Sequence, residues 1–199
     1  MNELYPIFLK ARRLKFLIVG GGAVGEEKLH NLLRSSPQAT VLLVAPTIRK
    51  GILSLAVKHP AVELQHEPFV ESHLEGIDIA ILATEKQEVN LKIRELARAR
   101  GILTNVADSP DLCDFYMCSI VTKGDLKIGI STNGKSPTFA KRFRQLLEAT
   151  LPDSIPDLLN NLRSIRDRLS GDFTQKVEKL NAITQNMVAD EKMEDRTKK

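Results

Sequence analysis

Five short apolar runs, most of them separated by segments of helical character, constrain this chain more than any other feature. Lys15–Val19 (KFLIV), Thr40–Ala45 (TVLLVA), Ile77–Ala83 (IDIAILA) and Ile102–Val106 are rich in aliphatic and β-branched residues, and Val62–Gln65 (VELQ) is a short run in which apolar and polar residues alternate. Runs this short and this apolar read as strands, buried on both faces where no polar residue alternates. Between them, Ala23–Leu33, a stretch near Ile48–Val57 and Glu88–Arg100 read as helices, and Gly101 stops the last. Strands alternating with helices make right-handed crossovers and therefore a parallel sheet. The expected fold class is α/β, with a Rossmann-like parallel sheet.

The rhythm changes after Asp108. Ser119–Thr122 and Leu126–Ser131 flank Lys123-Gly124-Asp125, a hairpin signal with a glycine turn. Ser136 suits a helix N-cap and Pro137 the first helical position, so a helix is expected from there to about Ala149, ending before Pro152. From Ile155 the pattern gives two helices broken near Ser170-Gly171, then a charged tail over Asp190–Lys199. The predicted organisation is a nucleotide-type domain over 1–115, a small mixed α/β segment over 116–150 and a helical C-terminal region over 151–199.

The first strand runs directly into Gly20-Gly21-Gly22-Ala23-Val24-Gly25, which contains G-x-G-x-x-G, and a helix opens there. Each glycine has a physical task. The first allows the tight turn, the second lets backbone approach a pyrophosphate, and the third lets helix and strand pack closely. The orphan N–H groups at the helix start then meet the phosphate charge. A lone glycine pattern says little, but strand, turn and helix in a βαβ rhythm are its confirming context. One usual part is missing: an acid about 20 residues beyond the glycines, which binds the ribose hydroxyls of NAD. The second strand ends instead in Val44-Ala45-Pro46-Thr47, and Arg49 is near enough in sequence to meet a 2′-phosphate. On these residues NAD and NADP both remain open.

Two further places carry chemistry. Asp108, in Asn105-Val-Ala-Asp108-Ser-Pro110, follows the fifth strand at the edge where open α/β sheets bind ligands. A carboxylate there can take a proton as a substrate is oxidised, although Asp-Ser-Pro is also a turn sequence in its own right. Thr132, Asn133, Gly134, Lys135 and Ser136 precede a helix start and can form an anion-binding nest, or a simple capped loop. His59, His66 and His73 recur every seven residues, but Pro60 and Pro68 break any helix that would align them, so surface histidines are expected rather than a metal cluster. Cys113 and Cys118 lack zinc-type spacing, and no metal site is predicted.

Charge narrows the partner. Residues 116–150 hold 6 basic and 2 acidic side chains, while 1–115 and 151–199 are balanced. The surplus is a local attractor for an anionic partner rather than a nucleic-acid coat. No apolar run approaches the about 18 residues of a membrane span, and the N-terminus does not read as a secretory signal. A cytoplasmic protein with no nucleic-acid or membrane partner is expected.

Taken in order, Tyr5-Pro-Ile-Phe8, Ile18–Gly25 with Lys28, Val44-Ala-Pro46, Leu82-Ala-Thr84 followed by Asn90, Asn105–Asp108, Cys113-Asp-Phe115 and Ile130–Pro137 resemble the precorrin-2 dehydrogenase family. That family includes the N-terminal module of siroheme synthases and the bifunctional dehydrogenase–ferrochelatases. The resemblance spans roughly residues 4–152; the C-terminal helices match in character only. It implies NAD-dependent oxidation of precorrin-2 to sirohydrochlorin in siroheme biosynthesis, in some members followed by Fe²⁺ insertion. It also implies a homodimer in which residues 116–150 build the interface and the substrate cleft. A substrate ringed with carboxylates suits the basic surplus of that segment.

The resemblance assigns roles by position. Asp108 matches the family's essential aspartate. Gly20, Gly22, Ala23, Val24, Gly25, Ala45, Pro46 and Thr84 fall at cofactor-binding places, and Thr132, Asn133, Gly134, Lys135 and Ser136 at the substrate cleft. The family commonly reads NAD with Val-Ala-Pro at the second strand, which answers the missing acid. Two departures affect the cleft: Asn133 replaces a frequent glycine, and Tyr116-Met-Cys-Ser119 replaces a more usual apolar-Phe-Pro-Ala run. Two rival readings use the same residues. A non-catalytic NAD(H)-binding regulator predicts binding without turnover, and a chelatase alone predicts metal insertion that survives a bulky residue at Gly22.

Overall fold

The computed structural model describes residues 2–170 and 172–184. Its first seven strands and α-helices are β1 (Lys15–Val19), α1 (Ala23–Ser35), β2 (Thr40–Val44), α2 (Lys50–Lys58), β3 (Val62–Gln65), β4 (Ile79–Leu82) and α3 (Gln87–Ala99). There follow β5 (Leu103–Val106), β6 (Ser119–Lys123), β7 (Leu126–Ile130), α4 (Pro137–Thr150), α5 (Ile155–Arg168) and α6 (Phe173–Thr184). The described residues group into two compact units. One comprises those of Met1–Ile120 with Gly129–Arg144, the other those of Val121–Ile128 with Gln145–Lys199.

The first unit holds a five-stranded sheet in the order β3-β2-β1-β4-β5, with every neighbouring pair parallel. Alternation within the strands sorts their side chains between two cores. Phe16, Ile18, Val41, Leu43, Ile79 and Ile81 join Leu29 and Leu33 of α1 and Ile52 of α2. Leu17, Val19, Leu42, Val44, Ala80 and Leu82 join Ile93 and Ala97 of α3. Each fully buried aliphatic such as Leu17 or Ile18 contributes about 1.5–3 kcal/mol of transfer free energy. The α/β parallel sheet expected from the sequence is therefore the fold observed. The strand order reverses between β1 and β4, and that switch point is where ligands bind in sheets of this kind.

The edge strand β5 is covered by the chain that follows it. The Asp114 N–H donates to Thr104 O at 2.8 Å, and its carboxylate accepts from the Thr104 N–H and hydroxyl, both at 2.8 Å. Asn105 Nδ2 donates to Phe115 O at 2.9 Å. The exposed row of backbone groups that an edge presents is thus satisfied without a sixth strand.

One expectation about the histidines needs correction. His66 is exposed and His59 half-buried, but His73 is buried. Its Nδ1 accepts the Val70 N–H at 3.0 Å and its Nε2 meets a Glu67 carboxylate oxygen at 2.9 Å. The ring closes a short 3₁₀ turn over Glu71–Leu74, a structural task that leaves no tendency for it to face solvent.

In the second unit, α5 starts with Pro156 in its first turn, and Leu169 after it is extended. Gly124, at φ +57°, makes the hairpin turn against the Pro156 ring: a Cβ there would lie 2.9 Å from the ring. Lys123 pairs with Asp153 at 2.5 Å, and the hydrogen bond from that ammonium holds the Asp153 carboxyl below its ordinary range. The break predicted near Ser170-Gly171 falls between α5 and α6. Gly171 itself and the charged tail Asp190–Lys199 lie outside the described residues.

Candidate functional site

The glycine turn is built backbone against backbone. Gly20 has φ +126°, and a Cβ on it would stand 2.3 Å from Ala83 O, just past β4. A Cβ on Gly21 would stand 2.1 Å from Thr47 O, just past β2, and one on Gly25 would stand 2.0 Å from Gly20 O. These three glycines are required by packing. Gly22 is different: its φ is −81°, which any residue adopts, and a Cβ on it would meet nothing within 4 Å. It is also the N-cap of α1, with no side chain satisfying the helix's first N–H groups. Open space before uncapped helix donors is the setting a pyrophosphate group fits.

Beyond β4, the loop is fixed by one buried side chain. Asn90, on the first turn of α3, is 4% exposed. Its Nδ2 donates to Thr84 O at 3.0 Å, while its Oδ1 accepts the Thr84 hydroxyl at 2.7 Å and the Thr84 N–H at 3.3 Å. A residue needing to match one acceptor and two donors in so small a space is asparagine by inventory.

Beyond β5, the Ala107 N–H donates to Leu82 O at 2.9 Å, and the chain then turns sharply. Asp108 takes φ +57°, the left-handed region that aspartate and asparagine visit more readily than most residues. Its side chain is exposed and unpaired among the described residues, so the turn does not consume the carboxylate. Cys113 secures the turn from behind. Its Sγ accepts the Val106 N–H at 3.2 Å and lies 3.2 Å from Val106 O and 3.3 Å from Ser109 O, both in reach of its S–H. Burial pushes this thiol up from its ordinary range, partly offset by the Val106 hydrogen bond. Arg94 Nε donates to Leu112 O at 2.7 Å and ties the same segment to α3.

These loops meet in a cleft of about 270 Å³ at the C-terminal edge of the sheet, lined by Val24, Ala83, Thr84, Glu85, Gln87, Asn90, Ala107, Asp108 and Ser109. Of the residues singled out from sequence, it brings together Val24, Thr84 and Asp108. Ala45 and Pro46 lie past β2, Gly20 and Gly22 form the turn, and Ala23 and Gly25 lie in the first turn of α1. Glu85, Gln87, Ala107 and Ser109 were not foreseen. They flank recognised residues, and no composition signal marks them.

The loop Thr132–Ser136 lies in the same unit but does not line this cleft. It is largely self-satisfied: the Asn133 N–H donates to Ser131 Oγ at 3.1 Å, Lys135 N–H to Thr132 O at 3.1 Å, and Ser136 N–H to Thr132 Oγ1 at 3.1 Å. Ser136 Oγ accepts the Phe139 N–H at 3.1 Å, capping α4. Asn133 and Gly134 are both left-handed, at φ +53° and +75°. Asparagine is among the few residues that take a glycine's place there at low cost.

Comparison with known proteins fixes the family. A model described as putative NAD(P)-binding matches residues 7–119, more than half of the chain. The chain belongs to the putative NAD(P)-binding family. Within this NAD(P)-binding chain, residues 123–150 match a second model, that of the central part of sirohaem biosynthesis proteins. The siroheme synthase of Nitrosomonas europaea is 34% identical over 86% of the chain, and that of Pseudoalteromonas translucida 36% identical over 86%. The chain spans 36% of the length of each of these relatives. The solved structure of SirC, a precorrin-2 dehydrogenase, matches with a TM-score of 0.75 at 24% identity, covering 92% of this chain and 91% of that one. That match speaks for the fold. The resemblance read from sequence motifs is borne out by the two family models and the relatives.

Proposed function

We propose that the chain oxidises precorrin-2 to sirohydrochlorin with NAD⁺, as a homodimer acting in the cytoplasm. The observation that carries this reading is the cleft itself, which joins the start of the glycine-turn helix at Val24 to the Asp108 carboxylate. A dinucleotide site and an unpaired acid on one cavity wall are the two parts a dehydrogenation needs. The names of the relatives supply the substrate class.

In this reading the turn Gly20–Gly25 receives the pyrophosphate, with Gly22 leaving the approach open and the Ala23 and Val24 N–H groups facing it. Ala45 and Pro46 border the adenosine side. Thr84, held by Asn90, shapes the wall beside the nicotinamide. The dinucleotide, when bound, supplies the two-electron acceptor. Asp108 takes the proton that the tetrapyrrole releases as it is oxidised, and its exposed position lets that proton pass to solvent. The basic segment 116–150, with Lys135 in its exposed loop, attracts the substrate's carboxylates. Thr132, Asn133, Gly134 and Ser136 fix the shape of that loop. The dimer is supported by α4, which exposes Phe139 and Phe143 as a stacked pair with ring centroids 5.8 Å apart.

The test is an anaerobic incubation of the full chain with precorrin-2 and NAD⁺, following NADH, with Fe²⁺ added only after oxidation is complete. NADH formed together with sirohydrochlorin is the expected result, and metal insertion above the uncatalysed rate adds chelation. Bound NAD⁺ without turnover overturns the enzyme reading in favour of a regulatory one.

A further inference from the structure

Past β2 there is no acid to mark the cofactor as NAD, yet there is a cation, Arg49. The structure shows what that cation is doing. The Arg49 N–H donates to Gly21 O at 3.0 Å, so its backbone is fastened to the glycine turn. Its guanidinium Nε lies 3.0 Å from a carboxylate oxygen of Glu26, on the first turn of α1. Gly51 makes room for that carboxylate: a Cβ there would stand 2.0 Å from Glu26 Oε1. The acid is thus seated between Arg49 and a residue with no side chain.

The space beside the pair is not small. Ala23, Glu26, Glu27, His30, Arg49, Gly51, Ser54, Leu55 and Lys58 line a groove of about 440 Å³ between α1 and α2. His30 and Lys58 share that groove with Arg49. A phosphate ester on the adenosine ribose has room there and basic groups within the same lining, so sterics do not exclude it.

Resting on the dinucleotide reading above, we propose that Glu26 is the residue that sets the chain's preference for NAD over NADP. Its carboxylate occupies the guanidinium that would otherwise pair with a 2′-phosphate, and its charge repels that phosphate as a dianion. The barrier is electrostatic, so removing the Glu26 charge lowers it, while Glu27 in the same lining keeps its charge beside Lys28. Arg49 supplies the binding that is then released, because a guanidinium pairs with phosphate as well as with carboxylate. Glu26 acts on the choice of ligand through Arg49 and is a specificity-determining residue, with no part in proton transfer.

The experiment is an equilibrium titration of NAD⁺ and NADP⁺ into the full chain and its Glu26→Gln, Arg49→Ala and Glu26→Gln/Arg49→Ala variants, each checked for folding by circular dichroism. Wild type is expected to bind NAD⁺ more tightly. In Glu26→Gln the ratio of NADP⁺ to NAD⁺ affinity rises by on the order of tenfold, the worth of one charge-assisted contact, and the double variant loses that gain. An unaltered ratio in Glu26→Gln, a gain that survives removal of Arg49, or a wild type that prefers NADP⁺ overturns the proposal while leaving the dinucleotide site standing. Failure of the wild type to bind either dinucleotide overturns the site reading, and this proposal with it.

Discussion

Asn90 and Thr84 satisfy one another almost completely: the amide of one reads the carbonyl, the hydroxyl and the N–H of the other at 3.0, 2.7 and 3.3 Å. The pair fixes the β4–α3 loop along one wall of the cleft that also holds Asp108. Asn90→Ala leaves the partly buried Thr84 carbonyl without its partner and is expected to cost about 1–3 kcal/mol in urea unfolding. Asn90→Asp keeps both acceptor contacts but sets an oxygen against that carbonyl, so it should be no more stable than the alanine variant. Both are expected to weaken NAD⁺ binding in a fluorescence titration.

Two glycines of the turn should separate binding from folding. Gly22→Asp places a favoured N-cap residue at a φ it adopts freely, and stability is expected to hold or rise by a few tenths of a kcal/mol. The same carboxylate stands where the pyrophosphate is proposed to lie, so dinucleotide affinity falls by about tenfold or more. Gly25→Ala behaves oppositely. Its Cβ runs into Gly20 O, and thermal melts should show a loss of about 1–3 kcal/mol despite the better helix propensity.

At Asp108 the backbone decides which substitution is informative. Asparagine accepts φ +57° nearly as well as aspartate, whereas alanine pays about 1–2 kcal/mol for the left-handed region. Asp108→Asn is therefore expected to melt like the native chain and to bind NAD⁺ while forming no NADH. Turnover retained by Asp108→Asn in the anaerobic assay would sink the proposed proton acceptor.

Cys113 and Cys118 are expected to differ in alkylation. Cys118 is exposed, and Cys113 is half-buried with its thiol raised chiefly by desolvation. Iodoacetamide at mildly alkaline pH should label Cys118 first by mass spectrometry. A raised folded-state value also means that the neutral thiol stabilises the fold. This contribution is complete below the unfolded thiol's value of about 8.5 and is lost as pH climbs through the folded one. Urea midpoints should decline above that pH, and Cys113→Ser should decline less.

Much of this is legible in the sequence alone. β1 falls on Lys15–Val19 as read, because a fully apolar run ending at glycine leaves little choice. β4 is shorter than the run Ile77–Ala83 that announced it: Asp78 spends its carboxylate on the Lys15 N–H at 2.8 Å, a pairing with a residue far away in sequence. Thr84 and Asp108 were named from motifs, yet their meeting with Val24 depends on the strand order, which no local pattern encodes. The strap from Cys113 to Phe115 along β5 was also invisible. An Asp114 whose carboxylate serves a backbone N–H looks, in one dimension, like any surface acid. His73 was misread for a similar reason, since burial by a single 3₁₀ turn leaves no periodicity.

The close approaches at Gly20, Gly21 and Gly25 have an evolutionary corollary. Three loop ends lock together chiefly through main chain, so none of those positions can take a side chain without its neighbours giving way. Gly22 is the exception, open toward whatever sits before it. A change in what such a chain recognises is therefore expected to fall on side chains outside the lock, such as the proposed pair Glu26 and Arg49. A lineage built on this turn can retune its ligand while its scaffold stays still.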